Sequence, residues 1–337
     1  MNRFDYVRAT SIAEAVGAMA GDPTARVIAG GTNLVDLMKY NVERPTTLVD
    51  IGRLPLDGIE ERDGGLSIGA LVTNSALAYD PRVLTRYPLL ASAILAGASA
   101  QLRNAATTGG NLNQRTRCYY FYDEGTPCNK RVPGSGCPAI HGQNRIHAIL
   151  GASDQCIATH PSDMCVALAA LDARVRVAGP EGERTIPFGD YHRLPEDNPE
   201  RDTTLGHDEI VLAVELPEAE FGPHHTYLKL RDRHSYAFAL VSVAAALRLE
   251  GDLIVEARLA LGGVAHKPWR DPEAEALLVG RPATAENFAL AADQVLGAAR
   301  GHAHNAFKIE LARRAIVRGL SQAAAGTPQS QSDKRIQ

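Results

Sequence analysis

Four cysteines, Cys118, Cys128, Cys137 and Cys156, are separated by nine, eight and eighteen residues. Thiolates hold soft metal ions and iron–sulfur clusters. A zinc site usually includes a close C-x2–4-C pair, and these spacings contain none. Four cysteines can also pair as disulfides in an exported protein. A cubane iron–sulfur cluster takes four Cys ligands and suits a stretch with no hydrophobic core of its own. Arg115, Arg117, Lys130, Arg131 and Arg145 surround the cysteines, where positive charge favours thiolates and an anionic cluster. Spacing alone leaves the cluster, disulfides, zinc and free thiols open. Cys165, set among Met164, Val166 and Leu168, reads as an apolar core residue rather than a ligand.

Two glycine turns form a second candidate site. Ala29-Gly30-Gly31-Thr32-Asn33 follows a strand-like run, and Thr107-Thr108-Gly109-Gly110-Asn111 follows a helix-like one. Glycine lets the backbone approach a bulky anion and aim successive N–H groups at it. Thr and Asn add donors of small bulk, so the two turns could grip the two phosphates of a dinucleotide from opposite sides. Neither turn matches G-x-G-x-x-G or G-x-x-x-x-G-K-[ST], which disfavours the Rossmann and P-loop readings. Each is equally readable as a plain tight turn.

The elements that must hold these residues follow from pattern. With 337 residues, 45% of them hydrophobic, the chain can build about two domains. A net charge of −4 argues against a nucleic-acid backbone binder. No apolar run approaches the ~20 residues of a membrane span. The start, MNRFDYVRAT, lacks an apolar h-region and a twin-arginine pair, so no export signal is expected there.

Ser11-Ile12-Ala13-Glu14 has capping-box form and opens a helix with Ile12, Ala15, Val16 and Met19 on one face. Strands are expected at 26–29, 47–51 and 66–71, and a helix at 89–102. Periodicity disappears from 118 to about 155, an unusual length of loop unless something organises it. A helix at 162–173 and a strand at 174–178 follow, then a polar connection at 194–208. Strands at 209–216, 226–230, 237–249 and 253–264, with a hairpin at Gly251-Asp252, precede helices at 285–299 and 305–320. The tail, 326–337, reads as disordered.

Three segments now carry a family likeness. Arg26-Val27-Ile28-Ala29-Gly30-Gly31-Thr32-Asn33-Leu34, Ala106-Thr107-Thr108-Gly109-Gly110-Asn111-Leu112 and Pro161-Ser162-Asp163 resemble the FAD-binding subunit of the xanthine dehydrogenase family of molybdenum hydroxylases. The likeness spans about 4–320 and continues through Asp208-Glu209-Ile210-Val211-Leu212, Tyr227-Leu228-Lys229-Leu230-Arg231 and Gly262-Gly263-Val264. The cysteine loop, with Arg117-Cys118-Tyr119-Tyr120-Phe121, Pro127-Cys128-Asn129-Lys130 and Gly134-Ser135-Gly136-Cys137, resembles the flavin subunit of bacterial periplasmic aldehyde oxidoreductases. There the loop carries a [4Fe–4S] cluster.

The resemblance implies an α+β fold: a two-lobed FAD-binding domain of the vanillyl-alcohol-oxidase (PCMH) type, then an antiparallel sheet with helices. The expected FAD-binding domain is 1–215, with lobes at about 1–55 and 56–215 and an iron–sulfur loop at 115–157; the C-terminal domain is 216–325. It further implies that Arg26, Val27, Ile28, Ala29, Gly30, Gly31, Thr32, Asn33 and Leu34 wrap the FAD pyrophosphate. Thr107, Thr108, Gly110 and Asn111 close over it, Asp163 bonds a polar part of the cofactor, and the Val211 backbone meets the isoalloxazine ring. Lys229 lies near the flavin, where a cation tunes the reduced ring. Cys118, Cys128, Cys137 and Cys156 become the ligands of a [4Fe–4S] cluster, read as an organiser of the loop more than a relay.

Read on their own, Asp163 is a helix-start residue, Val211 a buried strand position and Lys229 an exposed strand lysine. His160 stands beside the site without an assigned role, and His224 and His225 read as surface residues.

No hydrolytic triad is visible, and no side chain is assigned as catalytic. The implied protein is a flavin electron-transfer subunit of a heterotrimer with a large molybdenum-cofactor subunit and a small [2Fe–2S] subunit. Aldehyde is oxidised to carboxylic acid on the large partner, and FAD passes electrons to an external acceptor. The expected location is the periplasm, by co-export with a signal-bearing partner, or otherwise the cytoplasm. Two alternatives are a stand-alone nicotinamide-dependent flavin reductase and a non-redox assembly subunit.

Overall fold

The structure, a computed structural model, describes residues 1–218 and 221–331. Its first sheet is parallel, with strands β1 (Asp5–Arg8), β2 (Arg26–Ile28) and β3 (Thr47–Asp50) in the order β1-β3-β2. Parallel strands need crossovers: the helix Ile12–Gly21 links β1 to β2, on opposite sides of β3, and the helix Leu34–Lys39 links β2 to its neighbour β3. Ser11 accepts the Glu14 N–H, while Glu14 reaches back to the Thr10 N–H, closing the helix start from both sides. Ala15, Val16 and Met19 pack with Val49 and Ile51. β2 runs directly into Gly30-Gly31 and then the short helix Leu34–Lys39.

The second sheet is antiparallel: β4 (Ile59–Arg62), β5 (Gly65–Gly69), β6 (Arg174–Gly179), β7 (Gly182–Pro187) and β8 (Ile210–Leu216), in the order β4-β5-β8-β6-β7. Asp63 and Gly64 both have positive φ, 50° and 77°, and make the β4–β5 turn, as an Asp-Gly hairpin requires. Between β5 and β6 the chain leaves the sheet for a group of helices, the second glycine turn, the cysteine segment and the fully buried helix Asp163–Ala170.

The third sheet, also antiparallel, joins β9 (His225–Leu230), β10 (Val241–Glu250), β11 (Leu253–Gly262) and β12 (Trp269–Arg270) in the order β12-β11-β10-β9. Strand alternation gives β10 two buried faces. Val243, Ala245 and Leu247 pack with the carboxy-terminal helices through Ile316 and Leu320. Ala244 and Ala246 pack instead with the helix 163–170 and the core of the second sheet. This double burial fixes β9, and with it Lys229, against the helix that begins at Asp163.

Several expectations change. The helix expected at 89–102 is two helices, Pro88–Ala96 and Ala100–Ala105, because Ala98 takes φ +51°. The strand expected from 237 starts at Val241, and the last helix runs from Phe307 to Ala324. The tail is not free as far as residue 331: Gln329 N–H donates to Thr226 Oγ1 and the Gln331 amide to the Tyr227 carbonyl. The remainder of the expected disordered tail, 332–337, lies outside the described residues. His225 is buried and donates from Nδ1 to the Gly222 carbonyl oxygen, and so is not a surface residue. Among the described residues no helix is long and apolar enough to cross a membrane.

Candidate functional site

Both glycine turns open on one cavity of about 550 Å³, lined by residues 26–34 together with Thr107, Gly109, Gly110, Arg115, Ile210 and Val211. Gly31 has φ +69°, a left-handed conformation that favours glycine. Gly30 is required for a different reason: a Cβ there would stand 1.9 Å from the Ala105 carbonyl oxygen. The first turn is therefore pressed against the chain that leads into the second.

The two turns are not equivalent. Among the described residues the N–H groups of Gly30, Gly31, Thr32 and Asn33 find no acceptor. Asn33 Oδ1 accepts the Arg115 N–H at 2.9 Å, leaving Asn33 Nδ2 buried without a partner. This is a row of donors suited to an anion. In the second turn, by contrast, the Thr108 N–H goes to Val72 O, the Gly109 N–H to Ala70 O and the Asn111 N–H to Thr107 O. The Gly110 N–H is held by Thr107 Oγ1, and Thr108 Oγ1 donates to Val72 O. The expectation of two gripping turns is thus corrected: the first offers donors, and the second offers a closely packed wall.

A second cavity of about 420 Å³ shares Thr32, Asn33 and Gly110 with the first and reaches Asp163 and Lys229. Lys229 Nζ donates to Asp163 Oδ2 at 2.7 Å and to Ala96 O at 3.2 Å, and Tyr227 OH donates to Asp163 Oδ1 at 2.7 Å. The pair is buried, so Lys229 is not an exposed strand lysine. Asn111 Oδ1 accepts from Ser162 Oγ, tying the second turn to the start of the Asp163 helix. Val211 lies in the wall of the first cavity against Gly109, whereas Lys229 belongs to the second, so the two do not flank one common space.

The four cysteines line one small cavity, and none of them is in a disulfide. His147 Nε2 lies 3.1 Å from Cys118 Sγ, and the Ala158 N–H donates to Cys156 Sγ. Burial pushes the Cys118 thiol up to about 12. Contact with Cys137, then burial, pushes Cys156 up to about 12, while the same contact holds Cys137 below the ordinary thiol range. No three of these sulfurs lie within 4.8 Å of one another, although ligands of one tetrahedral zinc ion would be about 3.8 Å apart. The spread suits a multinuclear group better than a single ion.

The flanking cations do not all face the sulfurs. Arg145 pairs with Asp232, and Arg117 meets Tyr122 and Asp36. Arg131 donates to the carbonyls of Tyr120, Phe121 and Asp123, a scaffold for the irregular loop. Arg115 and Lys130 converge on Asp202, with His266 3.6 Å from the same carboxylate. Arg115 also reaches Glu43 at 2.6 Å. Burial alone would raise the Asp202 carboxyl, but Lys130 and Arg115 outweigh it and hold it far below the usual range. Asp202 thereby joins the first cavity, through Arg115, to the cysteine cage, through Lys130 and His266, whose side chain touches Cys156. Nothing in the polar connection 194–208 singled it out.

Comparisons with known proteins place the whole chain in one family. The family described as the FAD binding domain in molybdopterin dehydrogenase matches residues 2–219, and the CO dehydrogenase flavoprotein C-terminal domain matches residues 225–323. The chain is 50% identical to the aldehyde oxidoreductase FAD-binding subunit PaoB of Escherichia coli, covering 96% of this chain and 99% of that one. It is 29% identical to the carbon monoxide dehydrogenase medium chain of Hydrogenophaga pseudoflava, over 95% and 97% of the two chains. Among solved structures, quinoline 2-oxidoreductase from Pseudomonas putida 86 superposes with a TM-score of 0.74 at 27% identity, covering 97% of this chain and 98% of that one. Donor row, paired cavities and family matches together identify the chain as a member of the FAD-binding subunits of the xanthine dehydrogenase and CO dehydrogenase family of molybdenum hydroxylases.

Proposed function

We propose that this chain is the flavin electron-transfer subunit of a molybdenum-dependent aldehyde oxidoreductase that converts an aldehyde to a carboxylic acid. The observation that carries the proposal is the unsatisfied donor row Gly30–Asn33, opening on a cavity that shares the walls Thr32, Asn33 and Gly110 with the neighbouring cavity of the Asp163–Lys229 pair. The residues present fit FAD: the N–H row and Asn33 Nδ2 for the pyrophosphate, an apolar wall at Val211 and Ile210, and a buried cation at the far end. Bound FAD supplies a junction that takes electrons singly and releases them in pairs. The chain's own part is to hold that cofactor and to fix Lys229 at the Asp163 end through their 2.7 Å contact.

The cysteine cage completes the reading. Cys118, Cys128, Cys137 and Cys156 hold a [4Fe–4S] cluster, supported by their common cavity, their N–H and imidazole contacts and their wide spacing. The cluster organises the loop. The partners are a large molybdenum-cofactor subunit, where substrate is oxidised, and a small [2Fe–2S] subunit that delivers electrons. The 50% identity to an aldehyde oxidoreductase subunit supports the substrate class. Co-export of the folded complex by a signal-bearing partner places it in the periplasm; fractionation of the native host tests this.

Anaerobic addition of an aromatic or aliphatic aldehyde to the purified complex should bleach the flavin absorbance, and an external acceptor should restore it. Flavin that aldehyde leaves oxidised, but that a reduced nicotinamide bleaches in the chain purified alone, would identify a stand-alone reductase instead.

A further inference from the structure

Beneath the second glycine turn lies a buried cluster that neither the flavin nor the four-cysteine cage uses. One ring nitrogen each of His160 and His192 and the sulfur of Cys165 lie within 4.8 Å of one another. The three residues are 8%, 2% and 0% exposed. Cys165 belongs to the helix Asp163–Ala170, His160 stands just before it, and His192 follows the short helix Phe188–Tyr191. The imidazoles are 4.3 Å apart between centroids.

Their hydrogen bonds leave a specific deficit. His192 Nε2 lies 2.9 Å from the Leu112 carbonyl oxygen, and His160 Nε2 lies 3.4 Å from the same oxygen. A carbonyl can only accept, so each Nε2 carries the proton and each Nδ1 carries a lone pair. Both Nδ1 atoms are buried without a partner. A metal-bound histidine gives one ring N–H to a backbone carbonyl and uses the other nitrogen for the ion, and the unpartnered Nδ1 atoms are the nitrogens left for that role.

We propose that His160, Cys165 and His192 form a three-ligand site for one thiophilic d10 ion, Cu(I) in preference to Zn(II). Soft thiolate and imidazole ligands suit both ions. Charge separates them: Cu(I) with one thiolate and two neutral imidazoles is neutral, whereas Zn(II) would leave a net positive charge on a buried site whose nearby carboxylate Asp202 is already paired with Lys130 and Arg115. Coordination number points the same way for a buried structural ion, since structural zinc takes four protein ligands and this group supplies three. Bonds of about 2.0–2.3 Å require ligand atoms about 3.5–3.8 Å apart, reached by small side-chain shifts. The Cys165 proton leaves to solvent as the ion binds. His192 lines an open surface cavity, which gives a route of entry. The bound ion would pin the start of the Asp163 helix to the 188–192 segment and, through Leu112, to the second glycine turn.

The test uses the purified complex, loaded anaerobically with Cu(I), freed of excess metal, and read by elemental analysis and copper K-edge absorption. About one retained copper per chain with two nitrogen and one sulfur ligand is expected. Cys165→Ser and His192→Gln should each lower retained copper at least tenfold with iron and flavin contents unchanged. Copper equal in wild type and both variants, copper bound by sulfur alone, or zinc found at these residues with no copper would each overturn the assignment. Should either variant fail to assemble, anomalous diffraction from wild-type crystals at the copper edge decides: a peak between the three side chains sustains the site, and none refutes it.

Discussion

Lys229 and Asp163 form an ion pair of 2.7 Å in which the side chains are only 4% and 9% exposed. Removing one partner strands the other charge away from water, which costs about 3–5 kcal/mol. Lys229→Met should therefore destabilise the protein by that order and weaken flavin retention. The double variant Asp163→Asn/Lys229→Met should recover much of the stability but not the flavin environment. Denaturant unfolding followed at the flavin band checks both; equal losses in the single and double variants would show that the pair is not coupled.

Gly30→Ala places a methyl group 1.9 Å from the Ala105 carbonyl oxygen. The turn must move, at a cost of about 1–3 kcal/mol, and the N–H row moves with it. Most of the bound flavin should be lost. Gly17, in the helix Ile12–Gly21, has nothing within 4 Å of a new Cβ. Gly17→Ala should keep full flavin and gain about 0.5–1 kcal/mol. Flavin analysis and thermal melting of the two variants side by side test the contrast.

How much of this was legible in the sequence depended on how local the information was. Gly30, Gly31 and the cysteines declare themselves by type, because few residues can do what they do. Asp202 does not: its partners Lys130 and Arg115 are distant in sequence, and only the fold brings them together. The inequality of the two glycine turns was equally hidden, since it rests on Ala70 and Val72 accepting from the second turn. Short helices such as Leu34–Lys39 and Thr108–Leu112 are a turn or two long, too brief for periodicity to register.

Asp202 predicts a pH effect of definite sign. Its carboxyl is held well below its unfolded value of about 3.9, so it adds stability that is complete above that value and is lost as pH falls further. Asp202→Asn should cost several kcal/mol at pH 7, on the order of breaking a buried pair. Between about pH 4 and pH 2 the variant's stability should fall less steeply than the wild type's, by about 1.4 kcal/mol per pH unit. Urea midpoints across that range measure the difference. Parallel wild-type and variant acid limbs would refute the assignment.

Cys128 stands in the wall of the cysteine cavity, and its N–H is held by Ser135. If the cluster organises the loop, Cys128→Ser should lower the iron content and the yield of assembled complex together. A normal yield with full iron but slowed electron transfer would assign the cluster a relay role instead.

The central claim is that the donor row of the first glycine turn holds a flavin while the cage holds iron. Cofactor analysis of the wild-type complex, purified without air and read by absorption spectrum, released flavin, iron and sulfide, tests it most directly. About one FAD and about four iron atoms, over and above those of the partner subunits, are predicted for each copy of this chain. Fully assembled protein in which this chain carries neither flavin nor iron would contradict it.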